Sequence, residues 1–227
     1  LTYTGKEIMP IVSLFYDGEE LFEGDDYSVA YKNNINAGMA TVTITGKGYY
    51  TGTKTTTFTI NKANQSITAS NLSLTYSNNG AISTSGNKGK LTYKSSNTAI
   101  AVVDASGKIT AKGAGSAKIT ITAAETSNYK KATKTITVTV AKAAQSITAK
   151  SSASSVAVGK TATISISGSK GTKSYKSSDT SIATVDKSTG KLTAKKVGTV
   201  RITATSAATS NFNAASKTVT VKVVPTS

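Results

Sequence analysis

Apolar and polar residues alternate along several short stretches of this chain. Residues 117–122 read Ala-Lys-Ile-Thr-Ile-Thr, and the same period of two runs through residues 135–140, 200–204 and 219–223. A period of two with β-branched residues is typical of antiparallel strands that bury one face and expose the other. The pattern therefore predicts an all-β chain.

The alternation also predicts which side chains face a core. The inward set is Ile119, Ile121, Val138, Val140, Ile202, Val221 and Val223, and the outward set is Thr120, Thr137, Thr139, Thr203 and Thr220. Turn-forming residues separate the strands at residues 104–107 and 186–190. Short strands and turns that follow one another at regular spacing over about 80 residues predict a β-sandwich.

The last two thirds of the chain contain a repeat. Residues 62–69 read Lys-Ala-Asn-Gln-Ser-Ile-Thr-Ala, and residues 142–149 read Lys-Ala-Ala-Gln-Ser-Ile-Thr-Ala. Thr-Ser-Asn-Tyr at residues 126–129 likewise returns as Thr-Ser-Asn-Phe at residues 209–212. A repeat of this length is a whole domain, so we predict a string of modules. The predicted modules are residues 1–60, 61–141 and 142–227, in an elongated rod.

The first predicted module is a shorter relative of the other two. Its back half keeps the spacing of the repeats, because Gly38, Val42 and Ile44 are spaced as Gly115, Ile119 and Ile121 are. We expect this module to be truncated at its start, and the chain to be a slice of a longer protein.

A longer motif resembles a known family. Ser-Ser-Asn/Asp-Thr-x-Ile-Ala is followed by Val-Asp, a Gly-Lys turn and Gly-x-Ala/Val-x-Ile-Thr, in copies at residues 95–122 and 177–204. This pattern closely resembles the bacterial Ig-like domain, group 2, a tandem module of bacterial surface proteins of the intimin and invasin class. Residues 1–60 resemble another short β module of Gram-positive surface proteins. The resemblance implies a β-sandwich fold and a non-enzymatic surface role, and it names no receptor.

Positive charge is concentrated in the repeats. The net charge is +16; residues 1–60 hold four lysines against seven acids, residues 61–141 ten lysines against two acids, and residues 142–227 thirteen basic residues against two acids. A basic surface attracts polyanions such as nucleic acid, teichoic acid or anionic lipid. The lysines alternate along the predicted strands and arginine occurs once, which favours solvent faces protected against edge-to-edge pairing. We therefore predict no specific nucleic-acid binding.

Three residue types are absent from the chain: His, Cys and Trp. Zinc sites of Cys and His, Cys nucleophiles and His-based triads are therefore excluded, and no disulfide holds the modules. No stretch approaches the roughly 20 apolar residues of a membrane span, and the first residues do not form a signal peptide. We expect no enzymatic activity, no catalytic residue, no metal and no cofactor.

Aromatic residues are the usual contacts for carbohydrate, and nine of the fourteen lie in residues 1–60. An exposed tyrosine stacks on a sugar ring, so Tyr49 and Tyr50 are the candidate ligand-binding residues, for an unknown ligand. The alternative is a core without Trp in which Tyr50 points outward. That core would contain Tyr27, Tyr31, Tyr49 and Phe58.

Acidic residues and one Lys-Asn-Glu set are further candidates. Residues 17–20 and 23–26 offer carboxylates to Ca²⁺ or to glycoside hydrolysis. The ordered Asp-x-Asp-x-Asp-Gly ligand series is absent, and the segment reads as a hairpin loop. An internal isopeptide bond needs a lysine, an asparagine and an acid; Lys62, Asn128 and Glu125 are present, but nothing in the sequence places them together.

These observations predict a non-catalytic stalk or spacer of a bacterial cell-surface or secreted protein. The stalk would display an adhesive or catalytic domain that lies outside this chain. The alternative is a carbohydrate-binding or host-adhesion module whose contact surface lies in residues 1–60. The candidate partners are cell-wall or host glycans or another surface protein. We expect a monomer, located outside the cell at the bacterial surface or cell wall.

Overall fold

All regular secondary structure in residues 1–226, the part that the computed structural model describes, is β-strand. The predicted all-β fold class is therefore confirmed. The described residues divide into two compact units. The first comprises Leu1–Ser70, Ile82–Lys94 and Ile119–Ile136; the second comprises Asn71–Ala81, Ser95–Lys118 and the residues from Thr137 onward. Each unit includes part of the predicted second module, and the module boundaries stay a prediction.

Residues 1–60 contain five strands: Leu14–Tyr16 (β1), Glu19–Leu21 (β2), Tyr27–Lys32 (β3), Gly38–Gly46 (β4) and Thr53–Ile60 (β5). β1 and β2 form an antiparallel hairpin, and β3, β4 and β5 form an antiparallel sheet in that order. Asp17 (φ 49°) and Gly18 (φ 86°) form the turn of the hairpin. Asp-Gly suits this two-residue turn because both positions require positive φ.

Residues 61–141 contain seven strands: Leu72–Thr75 (β6), Asn79–Ala81 (β7), Leu91–Ser95 (β8), Ala101–Val103 (β9), Lys108–Ala111 (β10), Gly115–Ala123 (β11) and Ala132–Ala141 (β12). They form a four-stranded sheet in the order β6-β12-β11-β8 and a three-stranded sheet in the order β7-β10-β9. β6 pairs with β12 in parallel.

Residues 142–226 contain eight strands: Thr148–Ser151 (β13), Ser155–Ala157 (β14), Thr161–Ser167 (β15), Lys173–Ser177 (β16), Ala183–Val185 (β17), Lys191–Ala194 (β18), Gly198–Ser206 (β19) and Ala215–Val224 (β20). They form two four-stranded sheets, in the orders β13-β15-β18-β17 and β14-β20-β19-β16. β14 and β20 pair in parallel. The two sheets pack face to face as a β-sandwich.

The core of this sandwich is aliphatic. Both sheets supply alternate residues of their strands to it: Val156, Ile164, Ile166, Leu192, Val200, Ile202, Val221 and Val223, with Tyr175 as the aromatic member. Arg201 lies between two fully buried neighbours and is itself exposed. The strict alternation in β19 therefore gives one dry face and one solvated face.

The predicted register is confirmed in the repeats. All seven aliphatic residues of the inward set are buried, with exposed fractions of 0 to 3%. None of the five threonines of the outward set is buried: Thr139 and Thr220 are exposed, and Thr120, Thr137 and Thr203 are half-buried. A slip of one residue would have exchanged the two sets.

The two predicted turns are built on an aspartate. Asp104 Oδ1 accepts the amides of Ser106 at 2.8 Å and Lys108 at 3.0 Å. Asp186 Oδ1 accepts the amides of Ser188 at 3.0 Å and Thr189 at 2.7 Å. The hydrogen bond from the Thr189 amide, together with that from the Thr189 hydroxyl, lowers the pKa of Asp186. The carboxylate is thus the form that the folded turn favours.

We predict that Ile202→Ala destabilises residues 142–226 by about 2 to 4 kcal/mol, because Ile202 is fully buried and the substitution leaves a cavity. Urea unfolding measures the loss. The matched control is Thr220→Ala on the exposed face, with an expected change within about 0.5 kcal/mol. Equal costs for the two variants would contradict a closed core.

We also predict a pH-dependent effect of Asp186→Asn. The folded-state pKa of Asp186 is lowered, so its stabilisation is present above the unfolded pKa of about 4 and is lost as the pH falls through the folded pKa. The variant should therefore unfold at a lower temperature than the native chain near neutral pH. The difference should shrink toward about pH 2, whereas Lys187→Gln should show no such trend; a difference that is constant with pH would be inconsistent with this reading.

Candidate functional site

Exposed aromatic side chains are concentrated in residues 1–60. Phe15, Tyr16 and Phe22 are each 65% exposed, and Tyr49 is fully exposed. Tyr16, Tyr49 and Tyr50 line one shallow depression together with Thr51. We call these three tyrosines the tyrosine cluster.

Two tight turns position the tyrosine cluster. The β1–β2 hairpin places Tyr16 opposite Glu19. The β4–β5 connection carries Tyr49 and Tyr50, and a hydrogen bond from the Gly46 amide to the Gly52 carbonyl closes it at 3.0 Å. The ring centroids of Tyr16 and Tyr50 lie 5.8 Å apart with an interplanar angle of 67°. This edge-to-face packing holds the two turns together.

The close approach inside the β4–β5 connection requires glycine. A Cβ atom at Gly46 would lie 2.6 Å from the carbonyl oxygen of Tyr50, which leaves no room for a side chain. Gly48 has a φ of +61° and turns the chain just before Tyr49. The tyrosine therefore projects into solvent.

The sequence-based core of residues 1–60 is partly wrong. Tyr27 is buried and Tyr31 packs edge to face on Phe58 at 6.5 Å, as predicted. The predicted core includes Tyr49, but the structure exposes that ring fully; the same prediction has Tyr50 pointing outward, but Tyr50 is half-buried. The reason is the left-handed turn at Gly48, which breaks the alternation that the prediction assumed.

The buried tyrosines of this segment serve the fold. The Tyr27 hydroxyl donates to the Val12 carbonyl at 2.8 Å, and the Tyr31 hydroxyl donates to the Pro10 carbonyl. Desolvation raises the pKa of both phenols. Each ring thus ties the segment before β1 to the β3–β4–β5 sheet through a satisfied polar tip.

The acidic segment is a turn structure. The Phe22 amide donates to Asp26 Oδ2 at 2.8 Å, and Lys47 Nζ donates to the Gly24 carbonyl at 3.0 Å. The hairpin predicted for this region is confirmed at β1 and β2. Within residues 1–226 no group of three or more acidic side chains converges as a metal site would require.

The Lys-Asn-Glu set is only half assembled. Lys62 Nζ donates to Glu125 Oε1, a contact that nothing in the sequence predicts, and this contact lowers the pKa of Glu125. The side chain of Asn128 lies elsewhere: its Oδ1 accepts the Ala37 amide at 2.9 Å, and its Nδ2 donates to Asn36 Oδ1 at 3.0 Å. The amide that an isopeptide bond would consume is therefore engaged with other groups.

The lysines lie on the solvent faces of the strands. Every lysine within residues 1–226 is exposed except Lys62, which is half-buried. Lys118 lies between buried Ala117 and Ile119, and Lys222 lies between two buried valines in the same way. This placement agrees with the solvent-face interpretation of the positive charge.

Comparison with known proteins identifies the class of fold. The sequence profile of the intimin immunoglobulin-like domain matches residues 76–125 and 150–208, a little under half of the chain. These segments contain both copies of the motif, residues 95–122 and 177–204, in full. The predicted resemblance to bacterial Ig-like domains is therefore confirmed over these two segments. Curated protein sequences give no match.

Comparison with solved structures gives distant matches to surface and adhesion proteins. Domains 1–6 of surface layer protein SbsC match with 18% identity over 100% of this chain and 39% of that chain, TM-score 0.34. Mouse protocadherin-24 EC1-3 matches with 10% identity over 92% of both chains, TM-score 0.33. BT4661 of Bacteroides thetaiotaomicron, a SusE-like surface located polysaccharide binding protein, matches with 12% identity over 88% of this chain and 55% of that chain, TM-score 0.29.

These three similarities carry no functional argument, because identity and TM-score are both low. The chain spans about two fifths of the length of the SbsC structure. A separate finding concerns membranes: in residues 1–226 there is no helix long and apolar enough to cross one.

We predict that binding to heparin or DNA is weak and disappears near physiological salt of about 0.15 M, because diffuse attraction depends on counterion release. Lys118→Glu and Lys222→Glu, on two separate strands, should weaken low-salt binding to a similar extent. Titration across ionic strength provides the test. A tight complex that persists at about 0.2 M salt, or a loss confined to one variant, would indicate a discrete polyanion site instead.

Proposed function

We propose that this chain is a non-catalytic stalk or spacer of a bacterial cell-surface or secreted protein. It displays an adhesive or catalytic domain that lies outside residues 1–227. Its immediate surroundings are the outside of the cell, at the surface or the cell wall. The Ig-like segments and their repetition support this proposal.

One observation carries the proposal: an early strand of each repeat pairs in parallel with the last strand. β6 pairs with β12, where the Tyr76 amide donates to the Ala141 carbonyl at 2.8 Å. β14 pairs with β20, where the Val158 amide donates to the Val224 carbonyl at 3.0 Å. Residues 1–60 show a shorter version, in which the Tyr3 amide donates to the Asn61 carbonyl at 2.9 Å.

Parallel pairing of an early strand with the last strand suits a module under tension. When the chain is pulled from its ends, the two strands slide past each other in opposite directions. The hydrogen bonds between them are then loaded together instead of opening one at a time. A spacer between a cell and a displayed domain requires this resistance.

The surface chemistry of the repeats also favours a spacer. The outward positions of the long strands carry mainly threonine, serine and lysine. Tyr93 and Tyr175 recur at matching places, half-buried and buried respectively, so recurrence reflects packing. A repeated surface of this kind offers no distinctive group to a ligand.

A second candidate function is carbohydrate binding by the tyrosine cluster. The observation that favours it is the fully exposed ring of Tyr49 beside the Tyr16–Tyr50 pair, with Glu19 opposite Tyr16 on the hairpin. Rings supply stacking surfaces and carboxylates accept hydrogen bonds from sugar hydroxyls. Cell-wall or host glycans are the partners that this chemistry fits.

We predict that the whole chain shows no turnover of glycans, peptides or esters, and that its glycan affinity is no better than about millimolar, or some 4 kcal/mol. A glycan array followed by titration calorimetry measures the affinity. Tyr49→Ala and Tyr50→Ala are the test variants. Met39→Ala is the matched control, because Met39 is a 67% exposed apolar side chain of the same segment outside the tyrosine cluster.

The outcomes separate the two candidates. Micromolar binding that is lost in Tyr49→Ala or Tyr50→Ala and kept in Met39→Ala would establish the carbohydrate-binding alternative. Micromolar binding that all three variants keep would contradict the stalk, because a recognition surface would then lie outside the tyrosine cluster.

A further inference from the structure

Two loops outside the tyrosine cluster repeat one set of contacts. Residues 126–129 connect β11 to β12, and residues 209–212 connect β19 to β20. We call them the first and second asparagine loops. In each, the threonine hydroxyl accepts hydrogen bonds from the amides of the asparagine and the aromatic residue, between 3.0 and 3.3 Å. The asparagine and the ring are thereby held in a defined place.

The first asparagine loop contacts residues 1–60 within the first compact unit. Asn128 Oδ1 accepts the Ala37 amide at 2.9 Å, immediately before β4 begins. The Tyr129 ring packs edge to face on Tyr3, with centroids 5.4 Å apart and an interplanar angle of 81°. Asn128 Nδ2 also donates to Asn36 Oδ1 at 3.0 Å. Two hydrogen bonds and one ring contact therefore join two elements that lie far apart in sequence.

The second asparagine loop makes two of these contacts, the hydrogen bond to a strand-end amide and the ring contact, within the second compact unit. Asn211 Oδ1 accepts the Ala114 amide at 2.8 Å, immediately before β11 begins. The Phe212 ring packs edge to face on Tyr76, with centroids 5.3 Å apart and an interplanar angle of 77°. Distances and angles agree closely between the two loops, so the contact is a repeated feature of the chain.

The receiving positions are equivalent as well. Ala37 and Ala114 each precede a glycine that opens a long strand, β4 and β11. The Tyr76 amide donates to the carbonyl of Ala141, the last residue of β12. The Tyr3 amide donates to the carbonyl of Asn61, the residue just after β5. Each receiving surface thus consists of a strand-end amide and a tyrosine ring.

The Lys-Ala-x-Gln-Ser-Ile motif supports the loops. Lys62 Nζ donates to the Thr126 carbonyl at 2.8 Å, and Lys142 Nζ donates to the Thr209 carbonyl at 2.6 Å. Gln145 Nε2 donates to the carbonyls of Ala207 and Asn213, at 2.9 and 2.6 Å, on either side of the second loop. Gln65 makes the corresponding pair of bonds around the first loop. The motif and the loop recur together because one holds the other.

We propose that each asparagine loop is an interaction surface specific for the strand-end amide and tyrosine of the preceding segment, residues 1–60 for the first loop and residues 61–141 for the second. The contact sets the orientation of the two segments that the loop joins. A hydrogen bond and an edge-to-face ring contact are both directional, so together they favour one orientation over many. The inference deepens the proposed stalk, on which it rests only for its biological purpose: each joint would hold the two segments that it connects in one orientation.

Residues 142–226 supply a natural reference for the tyrosine. Val158 donates its amide to Val224 as Tyr76 does to Ala141, so valine stands where the other two segments have tyrosine. Tyr76→Val and Tyr3→Val therefore introduce a residue that this fold accepts. Each removes the receiving ring while the asparagine loop stays unchanged.

The test is double electron–electron resonance on the whole chain, which has no native cysteine. One spin-label pair, Lys32→Cys with Lys134→Cys, spans the first joint; a second pair, Lys108→Cys with Lys217→Cys, spans the second, and all four positions are exposed. We expect Asn128→Ala to broaden the distance distribution of the first pair at least about twofold, because the loop loses its directional hydrogen bonds with Asn36 and Ala37. The variant should leave the second pair unchanged.

Reciprocal variants complete the design. Asn211→Ala and Tyr76→Val should broaden only the second pair, and Tyr3→Val only the first. Ser127→Ala, at an exposed position inside the first loop, should change neither. If Asn128→Ala does not fold, Tyr3→Val gives the same readout from the other side of the joint. Unchanged widths in the asparagine and tyrosine variants, or equal broadening of both pairs by one substitution, would overturn the proposal.

This result is independent of the stalk assignment. Glycan binding by the tyrosine cluster would refute the stalk and leave the widths as expected. Unchanged widths of the spin-label distance distributions would refute the proposed role of the asparagine loops. They would not affect the conclusion from the glycan-binding measurement.

Discussion

Burial of alternate aliphatic side chains is the interaction on which the rest of this structure depends. The chain has no disulfide and no Trp, so the paired faces of its sheets must supply the stability. In β19 and β20, Val200, Ile202, Val221 and Val223 are fully buried. Each such side chain contributes about 1.5 to 3 kcal/mol relative to an exposed one. A domain of about 80 residues retains little margin beyond this core.

The same alternation decides where distinctive side chains can lie. Because the apolar residues of each long strand face inward, threonine, serine and lysine occupy the outer face. Distinctive side chains then remain for the connections between strands. The β4–β5 connection carries Tyr49, and the β11–β12 and β19–β20 connections carry the asparagine loops. Tyr49 in the β4–β5 connection is exposed to solvent. The asparagine loops, in contrast, form hydrogen bonds with other parts of the chain.

Strand register follows from the sequence, because a period of two leaves only one face that is apolar enough to bury. The positions of Tyr49 and Tyr50 do not follow from the sequence pattern, because the left-handed turn at Gly48 interrupts the alternation. Tyr16 lies beside them because the β1–β2 hairpin packs there. The Asp-Gly pair predicts this hairpin but does not predict where the hairpin packs. The contacts of Lys62 with Glu125 and of Asn128 with Ala37 link residues 63 and 91 positions apart. Contacts of that separation become visible only when the strands are paired.

The central claim is that the repeats are spacers that withstand tension through their parallel strand pairs, β6 with β12 and β14 with β20. Single-molecule force spectroscopy on the whole chain, pulled from its two ends, tests this claim most directly. Loading in shear should give discrete force peaks, and a proline at Tyr76, whose amide bonds the Ala141 carbonyl, should lower one peak and spare the other. Smooth extension without peaks, or peaks that this substitution leaves unchanged, would contradict the account.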